Sequence, residues 1–440
     1  MNEVASLEPR LQRRCAKLVE SHLQAMQSVA SGIHAVGSAA GAFAATQGAH
    51  RFLNNDRVGL CQLAQQAIDL GRQEARQACD QYVLVVHDWS QLMFPEHTSK
   101  QDRAALSSRR VPEGYELQTA LLVSDRDGSP LAPVAMSLRA DDGVHCSRTT
   151  YVRKPLSPLD ELDPTMTFVE QQSLPQPLVH IIDAEADSVA HYRQWSTRSG
   201  RLFVVRADDR LADVAGKEQK FSAIRQQLRA QGVFRQTREV RYHGRRAQQW
   251  IAEVPITLTR DGQRNRPNAK DRQRVPGPPL PLRLVIAEVR DDSGQLLAVW
   301  YLLTNVDEQV DAATIALWYY WRWQIEKYFK LLKSAGANVE MWQQETAAAI
   351  ARRLWIASLA CITVWQLSRS THPQADEARQ FLVRLSGRQM KRKTPFTMPA
   401  MLAGLWVLLA MLDALETYSI DQIRTFAKIA LPHHTGPPNS

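Results

Sequence analysis

Residues 318–333 read WYYWRWQIEKYFKLLK and set one carboxylate, Glu326, among a phenol and several cations. At helical spacing, Tyr319, Arg322, Glu326, Lys330 and Lys333 share one face. Trp318, Trp321, Ile325, Phe329 and Leu332 form an apolar stripe beside it. Neither Gly nor Pro interrupts the run, so one helix through it is expected. Such a face can offer an oxygen ligand to a hard cation and donors to nearby phosphates. Arg322–Glu326 and Glu326–Lys330 pairs on a solvated surface would show the same spacing. The stretch alone leaves both readings open.

Two further carboxylates follow apolar runs. Residues 81–87 (QYVLVVH) predict a buried strand ending just before Asp88, and residues 177–182 (PLVHII) predict another that delivers Asp183. A helix is expected from about residue 184. One Asp after a strand is commonly a turn or cap residue. With Glu326 these two make a three-carboxylate set, which sequence spacing cannot show to converge. Further strands are expected at residues 117–124 and 130–139, joined by the turn signal Asp125-Arg126-Asp127-Gly128, and at residues 202–206.

The elements around these residues sort into blocks. Residues 1–75 predict helices, with Leu11, Cys15, Leu18, His22 and Met26 at helical spacing. Arg51 lies shortly before Asn54, Asn55 and Asp56, one of which can cap a helix from about Val58. A small DNA-binding module and a structural helical domain both fit. Residues 200–305 predict a separate β-rich unit, with strands at 249–258, 282–289 and 296–304. Trp300 on the last reads as core or as a stacking platform. Between the first two strands, residues 259–281 carry Arg260, Arg264, Arg266, Lys270, Arg272 and Arg274 among Gly and Pro, which predicts a mobile basic loop. Residues 346–367 and 397–415 predict long helices. The basic cluster 388–393 lies between them, and the tail with His433 and His434 is expected to fray.

Composition narrows the partners. The chain of 440 residues carries a net charge of +9, which favours a polyanion. Residues 201–274 hold 18 Lys/Arg against 8 Asp/Glu, enough to account for the whole excess. The 5 cysteines are scattered without a CxxC pair, which argues against a disulfide framework or a thiolate zinc site and fits a reducing cytosol. No signal-peptide pattern opens the chain. The apolar runs 354–367 and 398–412 are shorter than the roughly 20 residues a spanning helix needs, so both are expected to be buried. No Walker loop, HExxH or nucleotide-binding glycine fingerprint occurs.

Tyr319, Arg322, Glu326 and Lys333 match the pattern Y-x2-R-x3-E-x6-K around the catalytic Glu of bacterial insertion-sequence 4 family transposases, which this chain therefore resembles. Asp183-Ala184-Glu185-Ala186-Asp187 resembles the family's D-x-E-A-D segment, and Asp88 would be its first Asp. FVVRAD (203–208), WYLLTN (300–305) and GAHRFLNN (48–55) are similar to family segments in the same order. The resemblance runs from about Leu11 to Leu367. One departure is Trp89-Ser90, where the family often has Thr-Thr.

The resemblance implies a mixed α/β fold: a ribonuclease H-like catalytic core with a β-rich insertion and flanking helical N- and C-terminal regions. Boundaries are then expected at 1–75 (DNA-binding), 76–199 (core), 200–305 (insertion), 306–370 (core with the Glu helix) and 371–440 (C-terminal helices, dimerisation). It implies that Asp88, Asp183 and Glu326 hold two divalent cations, Mg²⁺ or Mn²⁺. Tyr319, Arg322, Lys330, Lys333, Arg206, Trp300 and Arg51 would contact DNA, with Trp300 catching a flipped base in a hairpin intermediate. The implied partners are double-stranded DNA, both element ends and target, and a second copy in a homodimer, with no membrane and a cytoplasmic, nucleoid-associated location. A nuclease of the same core without transposition, and an inactive DNA-binding protein, are the competing readings.

Overall fold

A computed structural model describes residues 7–24, 39–106, 113–149, 158–265, 272–333, 337–391 and 394–430. Two compact units divide the chain: residues 67–91 with 116–327, and residues 1–66 with 92–115 and 328–440. Helices α1 (Pro9–Gln24), α2 (Ala39–Leu53) and α3 (Leu60–Ala78) come first. Strands β1 (Val83–Met93), β2 (Gly114–Ser124), β3 (Pro130–Arg139) and β4 (Val144–Cys146) follow, then α4 (Leu162–Glu170), β5 (Leu178–Ile182), α5 (Val189–Ser196) and β6 (Leu202–Ala207). Next come β7 (Leu211–Val214), β8 (Lys217–Lys220), α6 (Phe221–Ala230), β9 (Arg235–Tyr242), β10 (Arg245–Leu258), β11 (Gly262–Asn265) and β12 (Arg272–Val275). The chain continues through β13 (Leu280–Arg290), β14 (Leu296–Thr304), α7 (Ala312–Trp321) and α8 (Trp323–Leu332). It closes with α9 (Ala347–Arg369), α10 (Ala375–Leu385), α11 (Met398–Thr417) and α12 (Ile420–Ala430).

The first unit is built on one mixed sheet in the order β4-β3-β2-β1-β5-β6-β14-β13-β10-β7-β8, with β9 on β10. β1, β5 and β6 are parallel, whereas β2–β3 and β6–β14 are antiparallel. The parallel strands are short apolar runs, Val83–Val86 and Val179 with Ile181 and Ile182, buried as a sheet covered on both faces requires. Beside β6, Tyr192 and Trp195 of α5 pack on Phe203, with ring centroids 5.7–5.8 Å apart. The segment WYLLTN ties strands together. Its Thr304 hydroxyl donates to the Phe203 carbonyl at 2.6 Å. Asn305 accepts from Phe203 N at 2.9 Å and donates to the Arg201 carbonyl at 2.8 Å, which pins β14 to β6.

Several expectations change. β1 runs on to Met93, so Asp88 lies inside the strand and not after it; its pairing with β5 ends at His87, and β2 is its neighbour on the other side. Residues 200–305 extend the same sheet through β6 and β14, where the sequence predicts a separate β-rich unit. In the basic stretch 259–281, Gly262–Asn265 pairs antiparallel with Arg272–Val275, so cross-strand hydrogen bonds order part of it. Arg266 and Lys270 lie outside the described residues, as do the side chains of Arg264 and Arg272. After Asp183 comes one tight turn, Ala184–Ala186, and α5 starts only at Val189. α3 begins at Leu60, too late for Asn55 or Asp56 to cap it. Asn55 instead accepts from Arg57 N at 3.0 Å, and Asp56 pairs with Arg352 at 3.3 Å.

The run 318–333 forms two helices. They meet at Arg322, whose N–H bonds the Tyr319 carbonyl at 3.0 Å and whose carbonyl accepts from Ile325 at 3.1 Å. These three-residue bonds tighten the backbone at the point where the Arg322 side chain is drawn inward. α7 is set down firmly. Trp318 packs edge-on to Tyr82 at 5.3 Å. Trp321 lies over the β2–β3 turn, where Gly128 has φ +72° and a Cβ would come 2.5 Å from the indole. Only glycine suits both that backbone and that contact.

The second unit is helical and is centred on α9, which is buried along most of its length. Thr346 caps α9 and Thr397 caps α11, each hydroxyl accepting from an N–H of the first turn at 3.3 Å. Both helices are long and apolar enough to cross a membrane by length and composition, because each extends beyond the apolar run that marks it in the sequence. α9 meets the expectation of burial, but α11 does not. Its last turns carry Met411, Leu412 and Leu415 on the surface. Met26, two members of the basic cluster (Arg392 and Lys393), His433 and His434 lie outside the described residues.

Candidate active site

Strand register builds the site. In the parallel pair β1–β5, Val83 faces Leu178 and the match runs on to His87 facing Ile182. One more step sets Asp88 beside Asp183. In β5–β6 the match ends with Ile182 facing Val205, so the next step sets Asp183 beside Arg206. Adjacent strands lie about 4.8 Å apart, and residues in register point to the same face. Asp88, Asp183 and Arg206 therefore form a row across three strands, and Arg206 Nε lies 2.5 Å from Asp183 Oδ1.

α7 and α8 bring the remaining groups to this row. Arg322 is buried, with its side chain 7% exposed. Its Nη1 lies 2.6 Å from Asp88 Oδ2, and its Nη2 lies 3.1 Å from Asp183 Oδ2 and 3.7 Å from Glu326 Oε1. The Tyr319 hydroxyl donates to Asp183 Oδ1 at 3.1 Å. Asp88 Oδ1 accepts from Trp89 N and Asp183 Oδ1 from Ala184 N, at 2.8 and 2.7 Å. Trp89-Ser90 thus supplies a backbone contact to Asp88. The helical face that could have been solvated is buried at Tyr319 and Arg322 and open at Glu326.

Burial pushes the Asp88 carboxyl up to about 6, against the guanidinium of Arg322 and the N–H of Trp89, which hold it down. Burial works against charge on Arg322 as well, but Asp183, Tyr319, Asp88 and Glu326 outweigh it and its pKa is raised. Tyr319 is pushed far up by burial and by Asp183, so it stays a donor. Glu185 joins this electrostatic group: burial and then Asp183 raise its carboxyl. Its place in D-x-E-A-D is the sequence signal for it. The last Asp of that segment, Asp187, instead accepts from the Tyr192 hydroxyl at 2.5 Å and from Asp208 N at 2.8 Å, fixing the chain after β6.

Asp88, Asp183, Glu326, Tyr319, Arg322 and Arg206 are thus brought together. Trp300 on β14 meets Tyr319 edge-on at 5.7 Å and is half-buried against a small cluster around Val240, Ala247 and Val289. Lys330, Lys333 and Arg51 belong to the helical unit. Lys330 is exposed on α8, and Lys333 lies 3.8 Å from Glu340. Arg51 lines a basic groove between α1 and α2 with Arg10, Arg13, Arg14, Lys17 and Arg57. Of the arginines in 259–281, Arg260 is held bidentately by Glu218 at 2.7 and 2.9 Å, and Arg274 pairs with Asp261.

Three carboxylates are the hard oxygen donors that suit Mg²⁺ or Mn²⁺. Among the described residues, however, no group of three or more His, Cys, Asp or Glu side chains is disposed to hold an ion. A guanidinium stands among the donors instead. The donor chemistry fits a divalent ion, while the arrangement is that of an arginine-centred ion cluster.

Residues 159–363 match the family model described as the transposase DDE domain. The match supports a DDE transposase. Such an enzyme acts on DNA, and DDE transposases generally use divalent metal ions. The matched region is a little under half of the chain. It contains Asp183, Arg206, Trp300, Tyr319, Arg322, Glu326, Lys330 and Lys333, and it leaves out Asp88 and Arg51. The mixed α/β sheet is consistent with the nuclease fold of such enzymes. No curated protein matches the chain.

Proposed function

We propose that this protein is a cut-and-paste DNA transposase of the insertion-sequence 4 type, in which Asp88, Asp183 and Glu326 form the catalytic set. The observation that carries the reading is the strand row that sets Asp88 beside Asp183, with Arg322 joining both to Glu326. The order β3-β2-β1-β5 supports a ribonuclease H-like core, with β6–β14 continuing the same sheet as the insertion. Residues 1–75 are proposed to bind DNA, 76–199 and 306–370 to make the core, 200–305 to carry the insertion, and 371–440 to support a homodimer. The location is proposed to be cytoplasmic, on the nucleoid, with no membrane.

Asp88, Asp183 and Glu326 would hold two divalent ions, Mg²⁺ or Mn²⁺, whose chemistry is activation of a water or 3′-hydroxyl and stabilisation of the leaving oxygen. The protein's own groups do the positioning. Tyr319, Arg322 and Arg206 hold backbone phosphates and fix the register of the scissile strand, and Lys330 and Lys333 are proposed as further DNA contacts. Arg51 and its neighbours in the α1–α2 groove add phosphate contacts remote in sequence from the carboxylates.

The test is binding and cleavage of the ends of the flanking element by purified protein in Mg²⁺, against a scrambled duplex. Selective cleavage of the ends is expected, with affinity falling steeply between about 50 and 200 mM salt. Arg10→Ala, Arg13→Ala and Arg51→Ala together should flatten that slope. Equal cleavage of both duplexes would favour a nuclease without transposition, and no cleavage would favour an inactive binding protein.

Strand cleavage is proposed to pass through a hairpin, with a flipped base stacked on Trp300. Stacking returns roughly 1–3 kcal/mol per base. Trp300→Ala should therefore slow hairpin formation more than the first nick. Its contact with Tyr319 gives it a packing role too, so a thermal melt must accompany the gel time course. Normal hairpin kinetics in a folded variant would remove Trp300 from base capture.

A further inference from the structure

We propose that Arg322 is a resident counter-cation that competes with divalent metal for Asp88, Asp183 and Glu326, so that metal loading requires its guanidinium to leave. The inference rests on the proposed metal role of those carboxylates and assigns Arg322 a second role beyond phosphate contact. One guanidinium reaches all three, at 2.6, 3.1 and 3.7 Å, from a side chain 7% exposed. It stands among the carboxylate oxygens, and among the described residues no group of three or more His, Cys, Asp or Glu side chains is disposed to hold an ion. The two-helix break at Arg322 gives this residue its own backbone turn, apart from the regular part of α8 that carries Glu326.

The physical logic is exchange. Buried carboxylates need a positive partner, which is Arg322 in the absence of metal. A divalent ion offers more charge and direct oxygen coordination, so ion and guanidinium exclude each other. The apparent metal affinity is then reduced by the fraction of molecules in which Arg322 still occupies the site. A released guanidinium presents a donor fork that fits phosphate. DNA that captures it raises metal affinity, and metal raises DNA affinity by the same factor.

The experiment is a Mn²⁺ titration of the full chain without DNA, followed by loss of the free-ion paramagnetic resonance signal. It compares the native protein, Arg322→Gln, Asp183→Asn and the double variant, each with a melting curve. Arg322→Gln should bind Mn²⁺ roughly tenfold or more tightly than the native protein, a typical coupling magnitude. Asp183→Asn should remove that gain. Equal affinity in native and Arg322→Gln proteins, with both weakened by Asp183→Asn, would overturn the competition and leave the metal site standing. Mn²⁺ binding indifferent to Asp183→Asn would overturn both. If Arg322→Gln does not fold, Arg322→Lys decides: its single ammonium bridges fewer oxygens and should give a smaller gain, and an affinity unchanged from native would overturn the proposal.

Discussion

Asp88→Asn, Asp183→Asn and Glu326→Gln are each expected to lower strand cleavage on the order of a thousandfold or more, while binding to terminal DNA persists. The amide keeps the shape of the carboxylate but loses the charge that would hold a divalent ion, and such an ion contributes several kcal/mol to phosphoryl chemistry. The fold should tolerate each change, because Arg322 keeps two of its three carboxylate partners every time. A gel assay of cleavage beside a mobility-shift assay of binding separates the two effects. Cleavage near the native rate in any one variant would remove that residue from the site.

The second large effect lies at the other face of the core sheet. Arg201→Met is expected to destabilise the protein by about 3–5 kcal/mol, the usual result of removing one partner of a buried ion cluster. Its fully buried side chain bonds Asp163 at 2.5 Å and both oxygens of Glu170 at 2.6 and 2.8 Å. Glu170 also meets His180 at 3.3 Å, and His180 lies 2.8 Å from His87, the neighbour of Asp88 on β1. The chain of contacts thus ends one residue from the carboxylate row. Burial works against the charge of Glu170, but His180 and Arg201 hold its carboxyl down to about 2. A depressed carboxylate stabilises the fold fully above its ordinary value of 4.5 and loses that contribution as pH falls toward 2. Urea unfolding as a function of pH should therefore show a shallower acid loss in Arg201→Met than in the native protein. A variant as stable as the native protein would show that the cluster adds no net stability.

Much of the chemistry is legible in the sequence, because it depends on residue type and local period. The apolar runs 177–182 and 202–206 form β5 and β6 within a residue, since a strand buried on both faces must be short and apolar. The helical face of Tyr319, Arg322 and Glu326 needs only the helical repeat. Other features have no local signal. β11 and β12 are rich in Arg and Gln and read as part of a loop, and their pairing with each other supplies their order. β1 passes Asp88 although its pairing with β5 ends at His87, an extension that no local pattern marks.

Convergence is decided by tertiary structure alone. Asp88 and Asp183 meet because each follows the last pair of the β1–β5 register, His87 and Ile182, and register is set by pairing across the sheet. In the sequence Arg322 can pass for a surface cation with Glu326 as its partner, and the fold buries it against Asp88 and Asp183 instead. Sequence supplies the charges and their order along the chain. The partner of each charge follows from which strands and helices pack together, because ion pairs form through space at a few ångströms whatever the distance along the chain.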